Sequence, residues 1–184
     1  MQEKDLRETP FSRERLYDGK IVTLERWQVR LPNGGQAERE VILHNGACAV
    51  VPVDAAGCVT LVRQHRVAVD RMTVEIPAGK LDGPDEDPAQ CARRELEEET
   101  GLRAGKWHAL TCLLTTPAFC RERIYIYLAT ELSQADAHPD DDEFLSLVRM
   151  PLEEAVEKVM RGEITDAKTC TGLLMAAHYL RGRS

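Results

Sequence analysis

The stretch ARRELEEETGL, residues 92–102, constrains the fold more than any other part of the chain. Four glutamates and two arginines crowd into eleven positions. Like charges one helical turn apart repel by about 0.2–0.5 kcal/mol per pair, so either water solvates them or a cation neutralises them. Pro88 suits the first turn of a helix and Gly101 its stop, which predicts a helix over 88–100. At helical spacing Glu95, Glu98 and Glu99 fall within an arc of about 100°. Arg94 lies at the edge of that arc, four residues before Glu98 and in pairing distance of it. Ala89, Ala92 and Leu96 form a narrow apolar stripe beside the carboxylates, and Glu97 points away. Carboxylates that border a packed face require a partner, and hard divalent cations such as Mg²⁺ take oxygen ligands. The competing explanation is a solvated charge run. Against it stands the Gly-ended strand and tight loop just ahead, which bring a backbone turn to the same place.

The rest of the chain supplies the frame. Segments 20–31, 37–44, 47–53, 59–65 and 73–80 read as strands, with PNGG at 32–35 and DAAG at 54–57 as turns. After the acidic helix, 106–116, 123–132 and 144–150 read as strands, and two helices close the chain over 151–162 and 165–182. Their apolar faces are Leu152, Val156, Val159 and Met160, then Ala167, Cys170, Leu174, Ala177 and Leu180. Residues 1–13 carry no pattern and read as frayed. Strands, a helix, strands and two helices predict an α+β fold, an α/β/α sandwich on a mixed β-sheet. Residues 1–45 form a separate N-terminal antiparallel β unit and residues 46–184 the main domain. A unit of that size is too small to stand alone, so it packs on the main domain or on a second subunit.

Composition narrows the partners. The 184 residues carry a net charge of −7, which argues against an extended nucleic-acid partner. Apolar residues make up 43% of the chain, enough for one sizeable core, yet no run approaches the length of a membrane span. The polar start lacks the apolar stretch of a signal peptide. Six scattered cysteines show no paired metal-ligand spacing and read as reduced thiols, mostly core fillers, in a cytoplasmic protein.

GKLDGPDEDPAQCARRELEEETGL, residues 79–102, resembles the signature of the Nudix hydrolases. The second half of that signature matches at Arg94, Glu95, Leu96, Glu98, Glu99, Gly101 and Leu102. The first half departs: six residues, not five, separate Gly79 from Glu86, and either Glu86 or Asp85 fills the first acidic position. Within the family the chain is most similar to the ADP-ribose pyrophosphatases, through LVRQHR, EIPAGK, GEITDAKTCTGLLMA and Pro117, sixteen residues past Gly101.

The resemblance implies a Nudix fold and Mg²⁺-dependent hydrolysis, with Mn²⁺ as the alternative ion, of a nucleoside diphosphate linked to another group. For ADP-ribose the products are AMP and ribose 5-phosphate. It implies metal ligands at Glu95, Glu98, Glu99 and the Ala78 carbonyl, and a homodimer built through the N-terminal strands. Arg94 is expected to hold Glu98. The loop HPDDDEF supplies a general base, best matched by Glu143, with Asp141 and Asp142 nearby. Arg66 and Arg63 are candidates for the substrate phosphates, since guanidinium forks fit them. The competing role for these arginines is an ion pair with Glu75. Trp27, Phe11 or Tyr17 could stack on adenine, although core or interface packing explains each of them equally simply.

Overall fold

The computed structural model describes residues 5–83, 85–135 and 144–182. It separates into two compact units: Met1–Asn45 with Leu114–Arg123, and Gly46–Leu113 with Ile124–Ser184. The segment Leu114–Arg123 thus joins the N-terminal unit.

In the first unit, β1 (Thr9–Asp18), β2 (Thr23–Arg30) and β3 (Gln36–Leu43) form an antiparallel sheet in that order. The β2–β3 turn closes through Gly34, whose φ of 85° suits glycine, with the Leu31 N–H on the Gly35 carbonyl at 2.8 Å. β1 corrects the expectation of a frayed start. It is exposed along nearly its whole length, so it shows no apolar alternation. Pairing with β2 creates it, together with cross-strand ion pairs such as Arg26–Glu14 at 3.2 Å and Arg15–Glu25 at 3.8 Å.

The second unit runs β4 (Ala47–Pro52), β5 (Cys58–Arg66), β6 (Arg71–Glu75), β7 (Ala78–Lys80), α1 (Pro88–Thr100), β8 (Leu102–Leu114), β9 (Arg123–Gln134), β10 (Leu145–Pro151), α2 (Leu152–Met160) and α3 (Ala167–Arg181). One sheet has the order β7-β4-β9-β8 and is mixed, with β4 parallel to β9 and antiparallel to β7. The other is the antiparallel set β10-β5-β6.

Every residue of β4 is buried, because both faces of the strand are covered. Cys48 and Val50 pack with Cys91, Ala92 and Leu96 of α1. Ala47, Ala49, Val51 and Val53 pack with Leu173, Ala176 and Ala177 of α3. The period-two alternation of one short strand therefore separates the two halves of the core and gives the α/β/α layering.

The expected strand over 73–80 proves to be two strands in two sheets. β6 pairs with β5 and β7 with β4. Pro77 has no N–H to continue a ladder, and its carbonyl accepts from the Val50 N–H at 2.9 Å. This sheet switch aims β7 at α1.

The buried face of α3 is rotated from the expected one: Thr169, Gly172, Leu173, Ala176 and Ala177 are buried, and Leu174 is 41% exposed. Gly172 sets the rotation. A Cβ there would stand 3.0 Å from Ile76 and Val51, so the helix rides unusually close to the sheet. On α2, Leu152 and Ala155 are buried while Met160 is exposed, so the expected face holds only in part.

Candidate active site

The acidic helix forms where local chemistry dictates. Asp87 caps it, its carboxylate accepting from the Ala89 N–H at 3.0 Å, and Pro88 opens the first turn. Gly101 ends it with a φ of 65° and an N–H on the Glu97 carbonyl at 2.8 Å. Cys91, Ala92 and Leu96 dock the helix on β4. That docking carries Glu95 and Glu99 inward: they are 8% and 4% exposed. Glu98 is about one-third exposed at the edge of the same face.

β7 completes the site from below. The Glu99 carboxylate accepts from the Ala78 N–H at 3.1 Å. A Cβ on Gly79 would lie 1.9–2.2 Å from the carboxylate atoms of Glu95, so only glycine lets that carboxylate sit against the strand. Gly79→Ala is therefore expected to fold while pushing Glu95 out of place. The expected loss is at least about 10-fold in turnover, since fine positioning controls such chemistry. Steady-state kinetics beside a thermal melt checks this.

Arg94 ties the acids together. Its Nη1 donates to Glu95 Oε1 at 2.7 Å and to Glu98 Oε2 at 3.0 Å, and its Nη2 donates to the Lys80 carbonyl at 3.4 Å. Nη2 also lies 3.6 Å from Glu86 and 3.9 Å from Asp82. Burial works against the guanidinium charge, but the negative charges of Glu95 and Glu98 outweigh it and raise the Arg94 pKa. Glu86, in turn, accepts from the Asp82 N–H at 2.6 Å and so closes the longer loop. Of the two acids left open by sequence, it is Glu86 that meets Arg94.

The donor set around Ala78, Glu95, Glu98 and Glu99 is all oxygen and mostly shielded from water, which suits a hard cation such as Mg²⁺ or Mn²⁺. Among the described residues, no three acidic, His or Cys side chains converge as a metal cluster in their present rotamers. The Arg94 guanidinium stands between Glu95 and Glu98 and donates to an oxygen of each.

A second polar cluster surrounds Glu75, which is 2% exposed. Arg66 donates Nε and Nη2 to its two oxygens, both at 2.8 Å, Thr73 Oγ1 donates at 2.6 Å, and the Lys168 ammonium bonds it from α3. Lys168 also reaches Asp166 at 3.0 Å. Burial pushes the Glu75 carboxyl up, but its bonds to Arg66 and the charge of Lys168 overcome this and bring it down to about 2. Arg66 thus makes the ion pair weighed against its phosphate-binding role, which leaves its planar fork fixed in orientation. Sequence reasoning missed Lys168. Its partner lies 93 residues away, and only the DAK triplet at 166–168 hints at a polar helix start.

Arg63 is exposed on β5, opposite Val74 and Ser146. Pro117 belongs to the first unit. Glu143, Asp141 and Asp142 lie outside the described residues. In the first unit, Trp27 donates its indole N–H to Glu25 at 2.7 Å and carries the Arg13 guanidinium 4.2 Å over its ring.

Comparison with known proteins agrees with this architecture. Residues 43–169 match the family model described as NUDIX domain. The chain is 41% identical to an ADP-ribose pyrophosphatase of Bacillus subtilis (strain 168) over 90% of both chains. It is 38% identical to a Bacillus methanolicus protein named methanol dehydrogenase activator, over 91% of this chain and 89% of that one. A solved structure described as an ADP compounds hydrolase superposes with a TM-score of 0.87 over 99% of each chain at 24% identity, which speaks to the fold. The chain belongs to the Nudix hydrolases. It is a pyrophosphatase of that family, most like the ADP-ribose pyrophosphatases.

Proposed function

We propose that the protein hydrolyses the pyrophosphate bond of ADP-ribose to AMP and ribose 5-phosphate, with Mg²⁺ as cofactor and Mn²⁺ as a substitute. The observation that carries this reading is the near-complete burial of Glu95 and Glu99 on α1, pressed against Ala78 and Gly79 of β7. Two inward carboxylates on a protein of net charge −7 would repel a diphosphate unless cations intervene. In this reading Glu95, Glu98, Glu99 and the Ala78 carbonyl hold the ion. A divalent cation bound there supplies the charge that makes phosphorus open to attack and water acidic near neutral pH.

The other roles fall to this chain's own groups. Arg94 orients Glu95 and Glu98 through one nitrogen shared between them. Arg66, its fork locked by Glu75, and Arg63 offset the substrate phosphates. Pro117 contributes to substrate binding. Glu143 takes the proton of the attacking water, a contribution of about 10²–10⁴-fold for such a base. The protein works in the cytoplasm as a homodimer joined through its N-terminal strands. Light scattering tests the dimer, and a mass equal to one chain would refute it.

Relatives of similar likeness carry different names, so the substrate is decided by assay. Purified protein is given ADP-ribose, nucleotide sugars and dinucleoside polyphosphates, each with Mg²⁺ and with chelator. Release of AMP from ADP-ribose, fastest of the panel and abolished by chelator, is the expected result. Preference for another compound would overturn the substrate, and no turnover of any would overturn the activity.

A further inference from the structure

Cys48 on β4 and Cys91 on α1 bring their sulfurs to 2.9 Å, across 43 residues of sequence. Both residues are 0% exposed. A disulfide bond is about 2.05 Å long, so the sulfurs stand only about 0.9 Å from bonding distance. The scaffold holds them there: β4 and α1 pack through a shared core that also includes Val50, Ala92 and Leu96.

The two thiols have different surroundings. The Cys91 sulfur lies 3.7 Å from the Arg94 guanidinium and 3.5 Å from the Lys80 carbonyl. Cys48 has the bond to Cys91 and an apolar burial site, and both push its thiol pKa up, so it keeps its proton. Cys91 is therefore the sulfur with polar neighbours, and Cys48 is the one held protonated against it.

We propose that Cys48 and Cys91 form an oxidisable dithiol site that a water-sized hydroperoxide converts to an intramolecular disulfide, tying β4 to α1. The Cys91 sulfur attacks one peroxide oxygen and the O–O bond breaks. With hydrogen peroxide this leaves a sulfenic acid on Cys91 and one water. The Cys48 sulfur then displaces the hydroxyl, losing its proton to it, which forms the S–S bond and releases a second water. Two thiols are oxidised by two electrons and one peroxide is reduced, so the step balances. The tether closes directly behind the acidic face. Cys48 stands opposite Gly79 in the β4–β7 register, and Cys91 lies one turn ahead of Glu95. Both cysteines do fill the core, as sequence suggests, and their juxtaposition adds a redox function to that packing.

The test uses the whole folded chain. Accessible thiols, Cys112 among them, are first capped with iodoacetamide. Hydrogen peroxide is then added, and the protein is mapped without reduction. The expected product is a peptide pair linked through Cys48 and Cys91, lighter by two hydrogens and separated again by dithiothreitol. It should come with a raised melting temperature that dithiothreitol reverses. Oxidised glutathione, too bulky for a fully buried pair, should leave both thiols reduced. Cys91→Ala should abolish the linked peptide and the shift in melting temperature. Cys48→Ala should strand Cys91 as a sulfenic acid that dimedone captures. The map of the unaltered protein stands without either variant. Recovery of both cysteines as free thiols, their oxidation beyond sulfenic acid without a bridge, or a bridge from either to another cysteine would overturn the proposal.

Discussion

Glu98→Gln is expected to fold like the parent protein and to lose at least about 100-fold in turnover, a barrier increase of about 2.7 kcal/mol or more. Glutamine preserves the shape of the side chain and removes only its charge. The side chain is 37% exposed and its bond to Arg94 is a single contact at 3.0 Å, so little stability is at stake. A cation site has more to lose, because a neutral amide oxygen is a far weaker ligand for a hard ion than a carboxylate. ADP-ribose hydrolysis measured across a Mg²⁺ titration, beside circular dichroism and a thermal melt, checks the expectation. A variant that retained most of its activity would remove Glu98 from the ligand set while leaving the fold and the family unaffected.

Glu75→Ala is expected to have the largest effect on stability. The carboxylate is the shared acceptor of Arg66, Thr73 and Lys168, and the Lys168 side chain is only 11% exposed. Removing it strands a buried ammonium, and breaking a buried pair from one side costs about 3–5 kcal/mol. Urea unfolding measures the loss. The same group shapes the acid limb of stability. Its folded pKa, about 2, lies below its ordinary value of 4.5. The stabilisation is therefore complete above about pH 4.5, and it disappears as pH falls from there toward 2, when the folded state must take up the proton. Unfolding at pH 7, 4.5 and 3 should show the parent losing more stability across that interval than Glu75→Gln, which cannot titrate at this position. Equal slopes for the two proteins would show that other carboxylates govern the acid limb. In the same variants, a raised KM for ADP-ribose with kcat little changed would tie the fixed Arg66 fork to substrate binding.

How far the sequence can be read depends on the range of the interaction that writes each feature. Helix α1 is legible to the residue, because Asp87, Pro88 and Gly101 act on backbone within a turn of themselves. The strands of the core are legible from their apolar runs. β1 is illegible, since an exposed strand has no hydrophobic period and exists only through its pairing with β2. The break between β6 and β7 is passed over when 73–80 is read as one strand, and although Pro77 sits at the break, which strand each half joins depends on the sheet.

The candidate site divides in the same way. The spacing of Arg94, Glu95, Glu98 and Glu99 already puts them together, since residues three and four apart on a helix share a face whatever surrounds it. That Glu86, and not Asp85, meets Arg94 depends on the path of a loop, and becomes visible only when Asp82 and Arg94 are in place.

By itself, then, the chain's sequence determined the acidic helix, its caps, the family it belongs to and the hard-oxygen character of its donors, all of them local or periodic properties. Only the tertiary structure decided that Glu95 and Glu99 are buried, that Gly79 makes room for one of them, that Arg66 shares Glu75 with Lys168, and that Cys48 meets Cys91. Those contacts join residues from 9 to 93 positions apart. No local pattern encodes them, because they arise from sheet register and from the depth at which each helix packs.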